Sequence, residues 1–190
     1  MSPGYDDGIS YLQMQSQGNT VDFGSLTVGR GIPASTGSST RGIFAGGGIP
    51  SNVTNTIDFA TIATTSNATD FGDLTIARKY FGGSGNQTRG IFSGGDRAPG
   101  PISDVIDFIT IASTGDASDF GDLKTANAHY GAASNSIIGV WAGGYDNSNP
   151  YNHIDFVTIA TTGNAADWGD TFRDRKYHAG CSDSHGGLAE

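Results

Sequence analysis

The sequence predicts an all-β fold built from equivalent sheets, and three observations carry that reading. A two-part phrase recurs along the chain, its core runs are β-branched and aromatic, and glycines punctuate it at every turn. The second half of the phrase is Asp22-Phe23-Gly24, Asp70-Phe71-Gly72, Asp119-Phe120-Gly121 and Asp167-Trp168-Gly169, at spacings of 48, 49 and 48 residues. The first half is Ile57-Asp58-Phe59, Ile106-Asp107-Phe108 and Ile154-Asp155-Phe156, with a worn copy at Ile9-Ser10-Tyr11. A fixed period of this kind marks a repeat architecture, in which a unit buries its apolar face only against its neighbours. The 30 glycines against 6 prolines fit tight turns between short strands better than a Pro-rich disordered chain.

Each element of the unit follows from its residues. In the best-preserved copy, 80–88 is small, polar and glycine-rich, which suits a strand pressed against neighbouring backbone. Residues 89–95 form a short apolar strand ended by a Gly-Gly pair that can adopt positive φ. Residues 105–112, Val-Ile-Asp-Phe-Ile-Thr-Ile-Ala, carry the strongest strand signal. Residues 113–116 make a turn, and 119–125 return as the outer strand. Nothing in the unit has helical periodicity, and four strands in about 40 to 50 residues is the size of one propeller blade.

The repeat fills 1–190 without a linker, so one domain is expected. Its blades are placed at 31–78, 79–127 and 128–176, with a composite fourth from 1–30 plus 177–190. Pairing the terminal segments closes the fourth blade and protects edges that invite aggregation. The alternative is that blades are shared between chains, giving a homo-oligomer.

Bulk properties exclude several functions. The net charge is -9, almost wholly from aspartate, and the ten Lys and Arg are scattered, which disfavours nucleic acid. The longest mostly apolar stretch, 137–143, is far below the ~20 residues of a membrane span. The N-terminal residues Met1 to Asp6 lack the basic and apolar regions of a secretory signal. Cys181 is the only cysteine, so no intramolecular disulfide forms.

The chemical motifs reduce to structure. Asp-Phe-Gly is also the magnesium motif of protein kinases, but here it recurs in every unit without the accompanying segments, as a turn aspartate, a core aromatic and a bend glycine. Asp73, Asp122 and Asp170 could hold calcium with backbone carbonyls; the simpler role is to cap turns or pair with Arg30, Arg78 or Arg175. The glycine runs at 46–48 and 82–85 lack a phosphate-loop ending. His129, His153, His178 and His185 lack closed zinc spacing. Cys181 with His178 or His185 lies in a repeat strand, where a small half-buried residue is expected rather than a nucleophile. No catalytic residue, metal site or cofactor is therefore expected.

What varies between copies is the loop after each Gly-Gly: 2–8, 48–55, 96–104 and 145–152. On a rigid scaffold these loops emerge on one face, as binding loops do. They offer Tyr5, Asp6, Asn52, Arg97, Tyr145, Asn149 and Tyr151 as candidate contacts to protein or sugar. The alternative is that these loops drift because nothing constrains them.

The pairs Gly46-Gly47, Gly94-Gly95 and Gly143-Gly144 after an apolar strand, the hydrophobic strand next, the aromatic after it and the Arg opening the next unit resemble the Kelch repeat. Residues 56–78 and 105–126 are also similar to Kelch-like repeat proteins of tailed phages from marine bacteria and cyanobacteria. The resemblance implies a non-enzymatic, virion-associated protein of a fibre, neck or surface decoration, released by lysis, with protein partners or a cell-surface glycan. A lectin-like propeller is the alternative, and an enzyme on a Kelch-type propeller the third reading. Galactose oxidase, built on Kelch-type blades, binds copper through tyrosines and histidines, and no such ligand set carries over to this chain.

Overall fold

The computed structural model describes residues 5–181, and every regular element among them is a strand. Sixteen strands form five small antiparallel sheets. The first sheet is a two-stranded ribbon of β1 (Asp6–Tyr11) and β2 (Val21–Arg30). Next come β3 (Ala34–Gly37) and β4 (Arg41–Ala45), a two-residue hairpin of β5 (Gly48–Ile49) and β6 (Asn52–Val53), then β7 (Thr56–Thr61) and β8 (Thr69–Asp73). Strands β3-β4-β7-β8 make the first four-stranded sheet in that spatial order. The second is β9 (Gly82–Gly85), β10 (Arg89–Ser93), β11 (Val105–Thr110) and β12 (Ser118–Asp122), and the third is β13 (Gly131–Ser134), β14 (Ile138–Ala142), β15 (Tyr151–Thr158) and β16 (Ala166–Arg175).

The small residues of the inner strands are there because backbones meet. A Cβ on Gly83 would lie 2.2 Å from the Ser35 carbonyl oxygen, so β9 approaches β3 as closely as a side chain allows only when there is none. Thr36 Oγ1 then donates to the Ser84 carbonyl at 3.1 Å, and Ser134 Oγ donates to the Gly85 carbonyl at 2.8 Å. Residues of β3, β9 and β13, with Gly180 and Cys181, line one common cavity of about 380 Å³.

Apolar faces are buried between successive sheets rather than within them. Phe71, Leu74 and Ile57 of the first four-stranded sheet pack with Phe81, Phe92, Ile109 and Ile111 of the second. Phe120, Leu123 and Ile106 of the second pack with Trp141, Val157 and Ile159 of the third. Full burial of each such side chain stabilises by about 1.5–3 kcal/mol, and no sheet achieves it alone.

Several strand boundaries differ from the sequence reading. The inner strand expected over 80–88 is confined to Gly82–Gly85, because Tyr80 adopts φ 57° and turns the chain. The outer strand expected over 119–125 ends at Asp122, since Leu123 and Asn127 turn away to bond the carbonyls of Asp104 and Ser103. Asp6 and Tyr151, expected in loops, begin β1 and β15. Of the composite unit, the N-terminal half is present as β1 and β2. Residues 177–181 carry no strand, and 182–190 lie outside the described residues. Among the described residues, strand pairing does not link the β1–β2 ribbon to the third four-stranded sheet.

The buried polar groups also depart from expectation. Arg30 and Arg78 pair not with the aspartates after Asp-Phe-Gly but with Asp58 and Asp107, the central residues of the Ile-Asp-Phe strands one repeat on. The Arg78–Asp107 bond is 2.8 Å, with both side chains fully buried. Thr75 Oγ1 donates to the other carboxylate oxygen of Asp107 at 2.5 Å, and Thr27 does the same to Asp58 at 2.6 Å. These pairs tie one sheet to the next.

Candidate functional site

A groove of about 420 Å³ is bounded by Tyr5, the β5–β6 turn from Ile49 to Asn52, Lys79, and the Ala98-Pro99 loop. It joins three of the four variable segments. The Gly-Gly pair before each loop turns the chain out of the sheet, with φ 58° and 106° at Gly94 and Gly95. Lys79 at the groove edge sits 3.9 Å from Asp96, and its ammonium lies 5.4 Å from the Tyr80 ring.

From Tyr80 an aromatic track runs toward the fourth loop. The Tyr80 and His129 rings are 3.9 Å apart, His129 and Tyr177 4.5 Å, and His129 and Tyr145 6.2 Å. The Lys176 ammonium caps Tyr145 at 3.8 Å and reaches Tyr177 at 5.3 Å. The track exists because one backbone feature repeats. Ile32, Tyr80, His129 and Tyr177, each two residues after the conserved-phase Arg30, Arg78, Asn127 or Arg175, all adopt left-handed φ between 56° and 61°. Non-glycine residues rarely adopt that conformation, and a β-branched one such as Ile32 almost never does. His129 N–H donates to the Tyr80 carbonyl at 2.9 Å and Tyr177 N–H to the His129 carbonyl at 2.8 Å, which fixes the stagger of the rings.

Burial holds the His129 pKa below its usual value, aided by Lys176 and Lys79 and opposed by Asp96, so the imidazole is neutral at pH 7. His129, packed between two phenols and flanked by two ammonium groups, belongs to an aromatic cluster whose exposed member is Tyr177. An aromatic surface of this kind can pack on sugar rings or apolar side chains, and neighbouring ammonium groups can attract anionic groups.

The expected contact residues divide. Tyr5 and Asn52 line the groove, Tyr145 lies on the track, and Arg97 is exposed next to the groove-lining Ala98. Asp6 is turned to its own backbone, accepting from Gly8 N–H at 3.0 Å. Tyr151 donates to Asp146 Oδ2 at 2.6 Å, while Asp146 Oδ1 accepts from Ser148 and Asn149 N–H at 2.7 Å each. Those bonds pull the Asp146 pKa down to about 2, and burial with Asp146 pushes Tyr151 up to about 12. Tyr151 and the Asn149 backbone therefore hold the fourth loop in shape. Lys79, Tyr80, Lys176 and Tyr177 escaped the sequence reading; the available signal was the recurrence of a bulky residue two positions after the repeat's Arg or Asn.

Among the described residues, no group of three or more His, Cys, Asp or Glu could hold a metal ion. Cys181 is exposed. No helix among the described residues is long and apolar enough to cross a membrane. No protein-family model and no curated protein matches this chain.

Proposed function

We propose that this protein is a non-enzymatic interaction module of Kelch-like propeller organisation that serves in a phage virion, as part of a fibre, neck or surface decoration. The propeller reading is supported by three four-stranded sheets whose inner strands line one cavity. The single observation that carries the binding role is the groove bounded by three of the segments that differ between repeats, beside an aromatic track that runs from Tyr80 through His129 to Tyr145 of the fourth. Fold analogy alone gives no function, so the weight rests on that face.

Its partner is a host-surface glycan or a protein surface, and the stacked rings favour the glycan. A lectin places aromatic faces against sugar rings, and Lys79 and Lys176 direct it to acidic sugars. Glycan-array and whole-cell binding of the purified chain test this. Binding that falls at least tenfold in Tyr145→Ala and Tyr80→Ala, with unchanged circular dichroism, supports the role of the face. Equal binding by those variants contradicts it.

A further inference from the structure

Every internal boundary between repeats shares two bonds, and the last two boundaries share a third. Between the ribbon and the first four-stranded sheet, Ala68 N–H donates to the Ser25 carbonyl at 2.8 Å and Ser25 N–H to Asn67 Oδ1 at 3.1 Å. Between the first and second, Gly115 N–H donates to the Phe71 carbonyl at 2.7 Å, Ala117 N–H to the Asp73 carbonyl at 2.8 Å, and Asp73 N–H to Asp116 Oδ1 at 3.0 Å. Between the second and third, Gly163 bonds Phe120 at 2.7 Å, Ala165 bonds Asp122 at 2.8 Å, and Asp122 N–H bonds Asn164 Oδ1 at 3.1 Å. Each boundary therefore seats the bulge of one Asp-Phe-Gly on the Asx turn of the next repeat, Ser66-Asn67, Gly115-Asp116 or Gly163-Asn164. The fit is close: a Cβ on Gly72 would lie 2.5 Å from the Gly115 carbonyl, and one on Gly121 2.5 Å from Gly163.

One bulge and one turn are left over. Around the fourth bulge, a Cβ on Gly169 would meet nothing described within 4 Å. Trp168 is 55% exposed, whereas its counterparts Phe71 and Phe120 are 2% exposed. The leftover turn is Gly18-Asn19, in the place of Ser66-Asn67, Gly115-Asp116 and Gly163-Asn164. Beside it Leu12 and Met14 are 58% and 92% exposed; in the first four-stranded sheet their counterparts Ala60 and Ile62 are 4% and 51% exposed, and in the second and third Ile109, Ile111, Val157 and Ile159 are at most 4% exposed and pack on the preceding repeat.

We propose that these two faces are the halves of one further boundary, closed head to tail between two copies of this chain. The bonds it forms follow from the internal ones: Gly18 N–H to the Trp168 carbonyl, Thr20 N–H to the Asp170 carbonyl, and Asp170 N–H to Asn19 Oδ1. Trp168 is covered by Leu12 and Met14 of the second copy. The boundary differs from the internal ones in one respect that suits separate chains. Ser10 replaces the buried aspartate of Asp58, Asp107 and Asp155, and Phe172, 88% exposed, replaces Thr27 and Thr75. Apolar contact takes the place of a carboxylate that would be exposed and hydrated before association. Because the two faces are different, the contact is heterologous and propagates into a ring or a filament.

The test is sedimentation velocity of the 190-residue chain over a concentration series, with tryptophan emission read alongside. Association that grows with concentration and shifts emission to the blue as Trp168 is covered is expected, since Trp141 is already buried. Met14→Asp and Trp168→Asp should each be monomeric with unaltered circular dichroism, both residues being exposed. Mixed one to one, these variants should form a dimer and nothing larger, because each keeps one intact face. A mixture that stays monomeric overturns the proposal, as does self-association by either variant alone. Own-chain closure, seen as a monomer with blue emission at every concentration, overturns it too. Tyr145→Ala should leave association unchanged, which separates this contact from the loop face.

Discussion

The first and second four-stranded sheets are joined through the Arg78–Asp107 pair, while Asn127 and Asp155 stand at the same positions between the second and third without bonding each other, so the two joints are not equivalent. In the first, Asp107 is fully buried and receives Arg78 at 2.8 Å and Thr75 at 2.5 Å. Arg78 also donates to the Val105 and Phe92 carbonyls at 2.7 and 3.1 Å. In the second, Asp155 is equally buried, at 2% exposure, but Asn127 has taken the place of the arginine and Lys124 that of the threonine. One Asp155 oxygen, Oδ1, finds no hydrogen-bond partner among the described residues. The Asn127 side chain instead donates to the Gly143 carbonyl at 2.7 Å and accepts from Tyr145 N–H at 2.6 Å. The joint has given up a counter-ion, and its side chain now positions the start of the loop that carries Tyr145. Stability is ceded beside the face proposed to bind, the pattern expected of a functional departure from local consistency.

The sharpest way to break this comparison is Arg78→Met. It leaves Asp107 buried without a cation and should cost about 3–5 kcal/mol, read as a lowered urea midpoint at unchanged slope. Thr75→Val, which removes a hydroxyl bonded to a charged group, should cost about 1.5–3 kcal/mol. Lys124→Val at the equivalent place should leave the midpoint where it was, because the Lys124–Asp167 pair lies in solvent with side chains 56% and 52% exposed. Asn127→Ala should cost about 1–2 kcal/mol by freeing the Gly143 carbonyl and the Tyr145 amide. It should also weaken ligand binding, a loss that Arg78→Met, assayed where it is folded, does not share.

The smallest effect is on pH dependence. Burial raises the Asp155 pKa above its ordinary 3.8, with only His153 and Lys124 opposing it. The native state therefore keeps a proton over a range where the unfolded chain has lost it. Stability should fall as pH rises from that ordinary value through the raised one. Denaturant midpoints at a series of pH values should show this slope in the natural chain and less of it in Asp155→Asn.

Much of the scaffold was legible because a repeat writes its pattern several times. The runs around Ile57, Ile106 and Ile154 read as buried strands, and the Gly-Gly pairs as strand ends, since both depend on neighbours within ten residues. The joints were not legible in the same way. Arg78 meets Asp107 across 29 residues and a sheet boundary, so the nearer Asp73 looked the better partner. The clue was physical: an aspartate at the centre of an apolar strand needs a buried cation, and Arg30 and Arg78 recur in phase with it. Of the residues around the groove and the aromatic track, Tyr5, Asn52 and Tyr145 were singled out through loop variability. Tyr80, His129 and Tyr177 were hidden because their placement depends on a left-handed turn that composition does not announce.

Equilibrium unfolding of Asp107→Asn beside Asp155→Asn at pH 7 probes the inequality of the two joints most directly. Asp107→Asn should lose about 3–5 kcal/mol, because Arg78 is left as the uncompensated charge. Asp155→Asn should be neutral or stabilising, because it discharges a carboxylate that has no arginine. Equal losses in both variants would contradict the account.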